Sequence, residues 1–171
     1  MRERLVLEAQ AVLDFCREHG FTVATAESCT GGLVAAYLTH IAGASDIVER
    51  GFVTYSNPSK IEILGVDAQI IVEHGAVSRQ ASLAMAAGAL WRSKASVSVS
   101  VTGIAGPGGG SEDKPVGLVH FAIAKRVSVS QEQLDFRALH HEENYGDIGR
   151  AEIREASVST AFRMLRQAAS L

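Results

Sequence analysis

Three short segments of the sequence carry side chains whose types and spacing suit nucleophilic chemistry. The first reads Glu-Ser-Cys-Thr-Gly-Gly at residues 27–32, between a β-prone run and a helical pattern, so we predict Ser28 at a strand-to-helix turn. The free N–H groups of such a turn attract an oxyanion or a phosphate. Ser28 is therefore a candidate nucleophile, and Thr30, Gly31 and Gly32 are candidates for substrate binding. The alternative is that Ser28 or Thr30 only caps the helix.

The second segment reads Tyr-Ser-Asn-Pro-Ser-Lys at residues 55–60 and also follows a predicted strand. A serine hydroxyl needs a base, and a lysine whose ammonium group is poorly hydrated can lose its proton near neutral pH. We assign the role of base to Lys60, and Tyr55 could relay the proton to a leaving group. The alternative is an exposed tyrosine at a strand end and a solvated lysine at a helix start.

The third segment is glycine-rich and spans residues 102–110. It lacks the Gly-Lys-Ser/Thr of a P-loop and precedes a strand, which excludes the common nucleotide-binding motifs. Its amides could wrap a substrate, or it could be a plain connection between strands. Ligands of open α/β sheets gather at the carboxyl ends of strands, where Ser28, Tyr55 and Thr102 are all predicted. One pocket could hold all three, and a Ser–Lys pair suits hydrolysis of an amide or an ester.

Other reactive side chains point to no separate site. Cys29 could compete with Ser28 as a nucleophile, but no histidine lies near it in the sequence, so a bystander thiol is the preferred interpretation. The six histidines have no ligand spacing, and Cys16 and Cys29 fit neither a disulfide framework nor a zinc site. We therefore expect no metal and no cofactor.

The elements that must position these segments follow from hydrophobic periodicity. Helical spacing predicts helices over 5–16, 33–41, 78–94 and 148–168, with a short helix that is capped by the segment 56–59 and ends near Leu64. Strands are predicted over 22–26, 47–55, 96–101, 116–124 and 127–136, the last two as a hairpin turning near 125–130. The order predicts an α/β fold, a three-layer α/β/α sandwich with a mixed five-stranded sheet. Whether the serines that alternate with valines over 96–101 face solvent or a closely packed helix stays open.

Length and charge limit the classes of function. The 171 residues predict a single domain, 1–171, and 16 basic against 19 acidic residues give a net charge of −3. With a pI of about 6.1 the chain has no broad basic surface, so we expect no direct nucleic-acid binding. No apolar run approaches the ~20 residues of a membrane span, and the N-terminal residues form no signal peptide. We expect no membrane contact and a cytoplasmic location.

Four motifs together resemble one family. They are Ala-Glu-Ser-Cys-Thr-Gly-Gly at 26–32, Glu-Arg-Gly-Phe-Val-Thr-Tyr-Ser-Asn at 49–57, His-Gly-Ala-Val-Ser at 74–78, and Thr-Gly-Ile-Ala-Gly-Pro with Lys-Pro-Val-Gly at 102–107 and 114–117. In this order they resemble the CinA C-terminal domain family across almost the whole chain. The resemblance implies a stand-alone nicotinamide mononucleotide deamidase, an amidohydrolase of pyridine nucleotide recycling that releases nicotinic acid mononucleotide and ammonia.

The resemblance also implies roles for individual residues. The family's serine nucleophile falls on Ser28, its tyrosine and lysine fall on Tyr55 and Lys60, and Ser45, Thr102 and the backbone from Gly103 to Gly106 would line the substrate pocket. Family members commonly read Gly-Asp-Arg before the last helix, where this chain reads Gly-Asp-Ile-Gly-Arg at 146–150. Either Arg150 or Arg154 would then hold the phosphate. The rival hypothesis is a module that binds a nucleotide or a partner without turnover. The partner we expect is a small nucleotide substrate, in a homo-oligomer that we take to be a dimer.

Overall fold

In a computed structural model that describes residues 1–129 and 134–171, helices alternate with strands for most of the chain and a long hairpin precedes the last helix. The helices are α1 (Glu3–His19), α2 (Leu33–Thr39), α3 (Asn57–Leu64), α4 (Ala68–His74), α5 (Arg79–Trp91) and α6 (Arg150–Arg166). The strands are β1 (Val23–Glu27), β2 (Val48–Val53), β3 (Val97–Gly103), β4 (Leu118–Val129) and β5 (Leu134–Asn144). Short 3₁₀ helices cover Ala44–Asp46 and Gln167–Ser170.

The five strands form one mixed sheet in the order β2-β1-β3-β4-β5. Strands β2, β1 and β3 are parallel, and Glu27 pairs with both Val53 and Val101, so their carboxyl ends meet at one edge of the sheet. Strands β4 and β5 run antiparallel, and Gly103 pairs with Val119. The same edge therefore also receives the start of β4, the end of β5 and the residues that lead into α6.

Helices cover both faces of the sheet, which confirms the predicted three-layer α/β/α sandwich. Helices α1, α2 and α6 pack together on one face, over a core that includes Leu13, Val99 and Phe162. Helices α3, α4 and α5 cover the other face, where smaller side chains such as Ala24 and Ala89 allow close packing. Burial of this apolar surface is the main force that holds the layers together.

The serines of β3 lie beneath α5 and not in solvent. Ser98 Oγ donates to the carbonyl of Ala86 at 2.7 Å, and Ser100 Oγ donates to the carbonyl of Ser82 at 2.7 Å. Both serines are fully buried. A hydroxyl that satisfies itself on a helix carbonyl removes the cost of burying a polar group, so the small side chains let helix and sheet approach closely.

The structure corrects the predicted hairpin. Strand β4 continues through residues 125–129, where a turn was expected, and β5 extends to Asn144, well past the predicted end at 136. Arg126 explains the longer strand: its guanidinium donates to the carbonyls of Leu90, Ser93 and Ala95, which ties β4 to the end of α5. The part of the predicted turn at Ser130 lies outside the described residues.

Helix α4 was not predicted, and β2 ends at Val53, two residues before the predicted end. None of the residues of α4 is fully buried, although Ile70 and Ile71 pack against the core, so the apolar contact of this short helix does not extend far enough to give a helical pattern in the sequence. Within the ranges 1–129 and 134–171, none of the helices has the length and apolar character that crossing a membrane requires.

Candidate active site

A pocket of about 270 Å³ lies at the edge of the sheet where the parallel strands end. It is lined by residues from five segments of the chain: Ser28 and Cys29 after β1, Tyr55, Asn57 and Lys60 around the start of α3, Ala76 and Val77 before α5, residues 102–106 and 108–109 at the end of β3 and in the loop after it, and Arg150 at the start of α6. Larger depressions occur elsewhere on the surface. This pocket is distinguished by a serine in contact with a buried lysine.

Lys60 Nζ lies 3.0 Å from Ser28 Oγ. The same nitrogen lies 2.9 Å from the carbonyl oxygen of Thr54 and 3.4 Å from that of Tyr55. A neutral amine has two N–H groups and one lone pair. The two carbonyls can accept both N–H groups, which leaves the lone pair for the hydroxyl proton of Ser28. The geometry therefore suits a nucleophile and its base.

Burial makes the neutral form of Lys60 accessible. The side chain is 1% exposed, and burial, the largest effect, lowers its pKa from the ordinary lysine value. A low-dielectric environment disfavours the charged form of an amine, and no carboxylate lies against this ammonium to restore it among the contacts of the described residues. The alternative of a solvated lysine at a helix start is wrong for Lys60.

The start of α3 turns Lys60 into the protein. Ser56 caps the helix, because its Oγ accepts from the amide of Ser59 at 3.2 Å, and Pro58 occupies the first turn. Lys60 and Leu64, one turn apart, are the buried residues of this helix, while its other side faces solvent. A cap placed directly after β2 therefore directs the fourth helical residue toward Ser28.

Ser28 follows β1, as predicted, and its amide donates to the carbonyl of Val101 at 2.9 Å. The N–H groups of the turn that follows are hydrogen-bonded within the protein. The amide of Gly31 donates to the carbonyl of Ser28, and the Glu27 carboxylate accepts from Gly32, Val34 and Ala35 at 2.9–3.1 Å. The amides of Gly31 and Gly32 are therefore bonded within the protein.

Tyr55 and Arg150 face each other at the mouth of the pocket. Arg150 Nη2 donates to Tyr55 Oη at 2.9 Å, and Nη1 donates to the carbonyl of Gly106 at 2.8 Å. Because the tyrosine oxygen accepts from the guanidinium, its own proton remains available to another acceptor. Tyr55 is 60% exposed, so it lies at the rim and not in the interior of the pocket.

The glycine-rich loop forms the opposite wall. Thr102 Oγ1 donates to the carbonyl of Ala76, and Lys114 Nζ donates to the carbonyls of His74 and Val77, so this wall is tied to the segment before α5. Gly103 packs so tightly that a Cβ there would lie 2.7 Å from Val119. The absence of a side chain at Gly103 therefore allows β3 to pack closely against the start of β4.

The structure brings most of the predicted site residues together, but not all. Ser28, Tyr55, Lys60, Thr102, Gly103, Gly106 and Arg150 line the pocket. Thr30, Gly31 and Gly32 lie behind Ser28 in the turn and are not part of the pocket lining. Ser45 is exposed in the 3₁₀ helix before β2, at the amino ends of the parallel strands, which is the opposite edge of the sheet.

Arg154 is also directed away from the pocket. Its Nε donates to the carbonyl of Cys29 at 3.1 Å and its Nη2 donates to the carbonyl of Thr30 at 2.8 Å. Of the two arginines considered for the phosphate, only Arg150 lines the pocket.

Sequence reasoning missed several pocket residues, among them Asn57, Ala76 and Val77. All three lie within the motifs that resemble the family, at 49–57 and 74–78. The motif boundaries were therefore the available signal. Small apolar side chains such as Ala76 carry no chemistry that would mark them in a single sequence.

Cys29 is buried beside the nucleophile and is chemically quiet. Burial, the largest effect, raises the pKa of its thiol to about 12. A thiol with so high a pKa carries almost no thiolate at neutral pH, and the thiolate is the reactive form. The structure thus favours Ser28 over Cys29 as the nucleophile of this pocket.

The comparisons with known proteins all point to one family. A family model, the CinA C-terminal domain, matches residues 7–169. A putative competence-damage inducible protein of Caldicellulosiruptor bescii is 46% identical over 96% of this chain and 38% of its own length, and a CinA-like protein of Mycobacterium avium is 49% identical over 86% of this chain and 33% of its own. The chain thus spans about a third of the length of these curated relatives.

Solved structures extend the match to the fold. The crystal structure of the competence/damage inducible protein CihA from Agrobacterium tumefaciens has a TM-score of 0.90 and 50% identity, covering 99% of this chain and 98% of that one. A CinA superfamily protein from Klebsiella pneumoniae has a TM-score of 0.84 and 27% identity, covering 98% of this chain and 99% of that one. This chain therefore matches nearly the whole length of both crystallised chains.

Proposed function

The chain belongs to the CinA C-terminal domain family, and from this premise we propose that it is an amidohydrolase that converts nicotinamide mononucleotide to nicotinic acid mononucleotide and ammonia. The observation that carries the proposal is the 3.0 Å approach of the buried Lys60 Nζ to Ser28 Oγ, inside a pocket. A serine paired with an uncharged lysine is an established arrangement for acyl transfer without histidine.

In the first half of the reaction Ser28 Oγ attacks the carboxamide carbon and its proton passes to Lys60 Nζ. The positive charge of the pyridinium ring withdraws electrons and makes that carbon more electrophilic. When the tetrahedral intermediate collapses, the C–N bond breaks and the leaving nitrogen takes a proton from Lys60 or from Tyr55. Ammonia departs, and the nicotinoyl group remains as an ester on Ser28.

In the second half a water molecule attacks the ester carbon and gives one proton to Lys60. The bond between that carbon and Ser28 Oγ breaks, the serine oxygen recovers the proton from Lys60, and the carboxylate product leaves. Lys60 ends the cycle neutral, as it began. If Tyr55 instead supplies the proton to the leaving nitrogen, Lys60 enters the second half still protonated; the tyrosinate then takes the proton of the attacking water, and Lys60 returns its own proton to Ser28. On either route the second proton of the water is released to solvent as the carboxylate product leaves.

The developing oxyanion needs N–H donors that are free. The amides of Ser28, Gly31 and Gly32 are bonded within the protein, and those of Cys29 and Thr30 interact with the buried thiol of Cys29. On the facing wall, the amides of Ala105 and Gly106 donate to no atom of the residues that the structure describes. We assign the oxyanion to these donors of the facing wall.

The remainder of the substrate would lie toward the mouth of the pocket. A cavity of about 270 Å³ suits the nicotinamide ring better than a whole mononucleotide, so the ribose and phosphate would extend to the rim. Arg150 is the cation at that rim, and a guanidinium binds phosphate oxygens in a bidentate manner.

The test is ammonia release from nicotinamide mononucleotide, its riboside and free nicotinamide. Ser28→Ala should abolish release while binding of the mononucleotide persists, because the variant lacks only the nucleophile. Ser59→Ala, which removes a more exposed hydroxyl of α3, is the matched control and should retain activity. Most of the activity surviving in Ser28→Ala would refute the mechanism. Binding of the mononucleotide without any ammonia release by the unaltered protein would instead support a module that binds without turnover.

A further inference from the structure

We propose that two charged side chains outside the pocket lining, Glu27 and Arg154, act together as positioning residues that hold the turn 28–32 and thereby keep Ser28 in reach of Lys60. Glu27 binds the N–H groups at the end of this turn, and Arg154 binds carbonyl groups in its middle. The inference rests on the proposed function for the role of Ser28; it gives Glu27 a role and gives Arg154 one that differs from phosphate binding.

Glu27 is a buried carboxylate, 1% exposed, directly before the nucleophile. Its Oε2 accepts from the amides of Gly32 and Val34 at 3.1 and 3.0 Å, and its Oε1 accepts from the amide of Ala35 at 2.9 Å and from Thr25 Oγ1 at 3.2 Å. Charge-assisted hydrogen bonds of this kind are stronger than neutral ones. The end of β1 is therefore bonded through one side chain to the first turn of α2.

Arg154 reaches the same turn from the helix layer. Its guanidinium donates to the carbonyls of Cys29 and Thr30, which are the two residues after Ser28. Arg154 lies on α6, one turn after Arg150. These two bonds therefore fix the nucleophile turn relative to the helix that also supplies the rim of the pocket.

The base is connected to the same residues through the backbone. The carbonyl of Glu27 accepts from the amide of Thr54 at 2.8 Å, and the carbonyl of Thr54 accepts from Lys60 Nζ at 2.9 Å. A shift of Glu27 would thus alter both sides of the contact between Ser28 and Lys60. Misplacement of a reacting group by about 1 Å can cost about 100-fold in rate, so a loosened turn should slow the reaction strongly.

The experiment follows the nucleophile directly, with a fluorophosphonate that forms a bond to a reactive serine oxygen and releases fluoride. Four variants are compared with the unaltered protein: Glu27→Gln, Arg154→Met, Arg154→Lys and the control Arg163→Met. Arg163 is also on α6, but it pairs with Glu143 on the surface. Ser28→Ala provides the blank. Ammonia release is measured in parallel to obtain kcat and KM.

We expect Glu27→Gln and Arg154→Met to lower both the labelling rate constant and kcat about 10- to 100-fold while KM changes less than about threefold. The final extent of labelling should stay complete, because the folded fraction still contains Ser28. Arg154→Lys should recover part of the rate, since its ammonium can reach one carbonyl, and Arg163→Met should match the unaltered protein.

The outcomes separate the possible failures. Labelling and kcat at the unaltered rate in both variants would overturn the positioning role. A reduced extent of labelling with an unaltered rate constant would also overturn it, because the residues would then serve stability alone. Normal labelling of the unaltered protein without ammonia release would refute the proposed substrate and leave the positioning role testable by the probe. No labelling of the unaltered protein would overturn both.

Discussion

At the scale of single residues, the burial of Lys60 links the proposed chemistry to pH. A lysine removed from water favours its neutral form, and the lowered pKa of Lys60 is the direct result. The same burial disfavours folding wherever the unfolded chain would carry a proton on this lysine. Activity and stability should therefore both respond to pH through one side chain.

The first prediction concerns the rate. Because the base must be neutral, kcat/KM should rise with pH and reach a plateau. The apparent pKa of this rise should lie below the ordinary lysine value of about 10.4. Lys60→Arg should be inactive throughout, since a guanidinium does not deprotonate in this range. The measurement is ammonia release between about pH 6 and pH 10. A rate that falls across that range would contradict Lys60 as the base.

The second prediction concerns stability. Between the lowered folded pKa of Lys60 and about 10.4, the unfolded chain binds the additional proton, so the free energy of unfolding should rise with pH. Well inside that window the contribution is about 1.4 kcal/mol per pH unit.

Denaturant titrations of the unaltered protein and Lys60→Met at several pH values check this. The difference between the two slopes isolates Lys60 from other groups that titrate in the same range. Equal slopes would mean that the lysine keeps its proton in the folded state, contrary to its proposed role.

Much of the residue-scale chemistry could be predicted from the sequence, and the exceptions have physical causes. Ser28, Lys60 and Tyr55 were identified because their side chains are reactive and follow predicted strands. The role of Glu27 was not, because a carboxylate that turns back onto the next helix leaves no periodic signal. Its presence explains why Gly32 does not offer its amide to a ligand, whereas the amide of Gly31 is bonded to the carbonyl of Ser28.

At the scale of elements, the helix that carries Lys60 depends on a very close contact with α5. A Cβ on Gly88 would lie 2.1 Å from the carbonyl oxygen of Leu64 at the end of α3. Any side chain at residue 88 must therefore displace α3, and α3 carries Lys60 four residues before that contact. Packing between two helices thus controls the reach of the base.

The third prediction follows from this contact. Gly88→Ala should lower the free energy of unfolding by about 1–3 kcal/mol, because overpacking outweighs the gain in helix propensity that alanine provides. It should also lower kcat more than the loss of folded protein explains. Thermal unfolding and ammonia release measure the two effects, with Gln80→Ala on the exposed side of α5 as the control. A stabilised, fully active Gly88→Ala would show that α3 does not depend on this contact.

Elements with a strong apolar pattern were predicted well, and the others were not. Helices α1, α5 and α6 each bury one side and emerge near their predicted bounds. Helix α4 buries no residue fully. Strand β5 is an edge strand that is exposed for most of its length, so its residues do not alternate between apolar and polar in a way that would show where the strand ends. The hairpin was misplaced for this reason.

At the scale of the whole molecule, the sheet topology concentrates the site at one edge. Parallel pairing of β1, β2 and β3 collects three strand ends, and the antiparallel hairpin returns the chain to the same edge before α6 begins. The sequence predicted this convergence for the three strand ends through the order of its elements. The register that brings Arg150 to Tyr55 depends on tertiary packing and could not be predicted.

The fourth prediction concerns nucleic acid, which the competence-related names of the relatives bring into question. The chain has 16 basic and 19 acidic residues, so it has no excess of cations with which to displace the counterions of DNA. A filter-binding titration at low salt should show no saturable retention of double-stranded DNA. Retention that weakens steeply with added salt would contradict this expectation.

The order of the site along the chain has a consequence for how such a protein could change. The nucleophile, its base and Tyr55 all come from the first 64 residues, whereas most of the wall residues and the cation at the rim come from residues 76–109 and from α6. The groups that attack and transfer protons are thus encoded apart from most of the residues that would meet the rest of a substrate. A graft of residues 102–117 from a relative could redirect the protein to another amide while the Ser28–Lys60 pair stays intact.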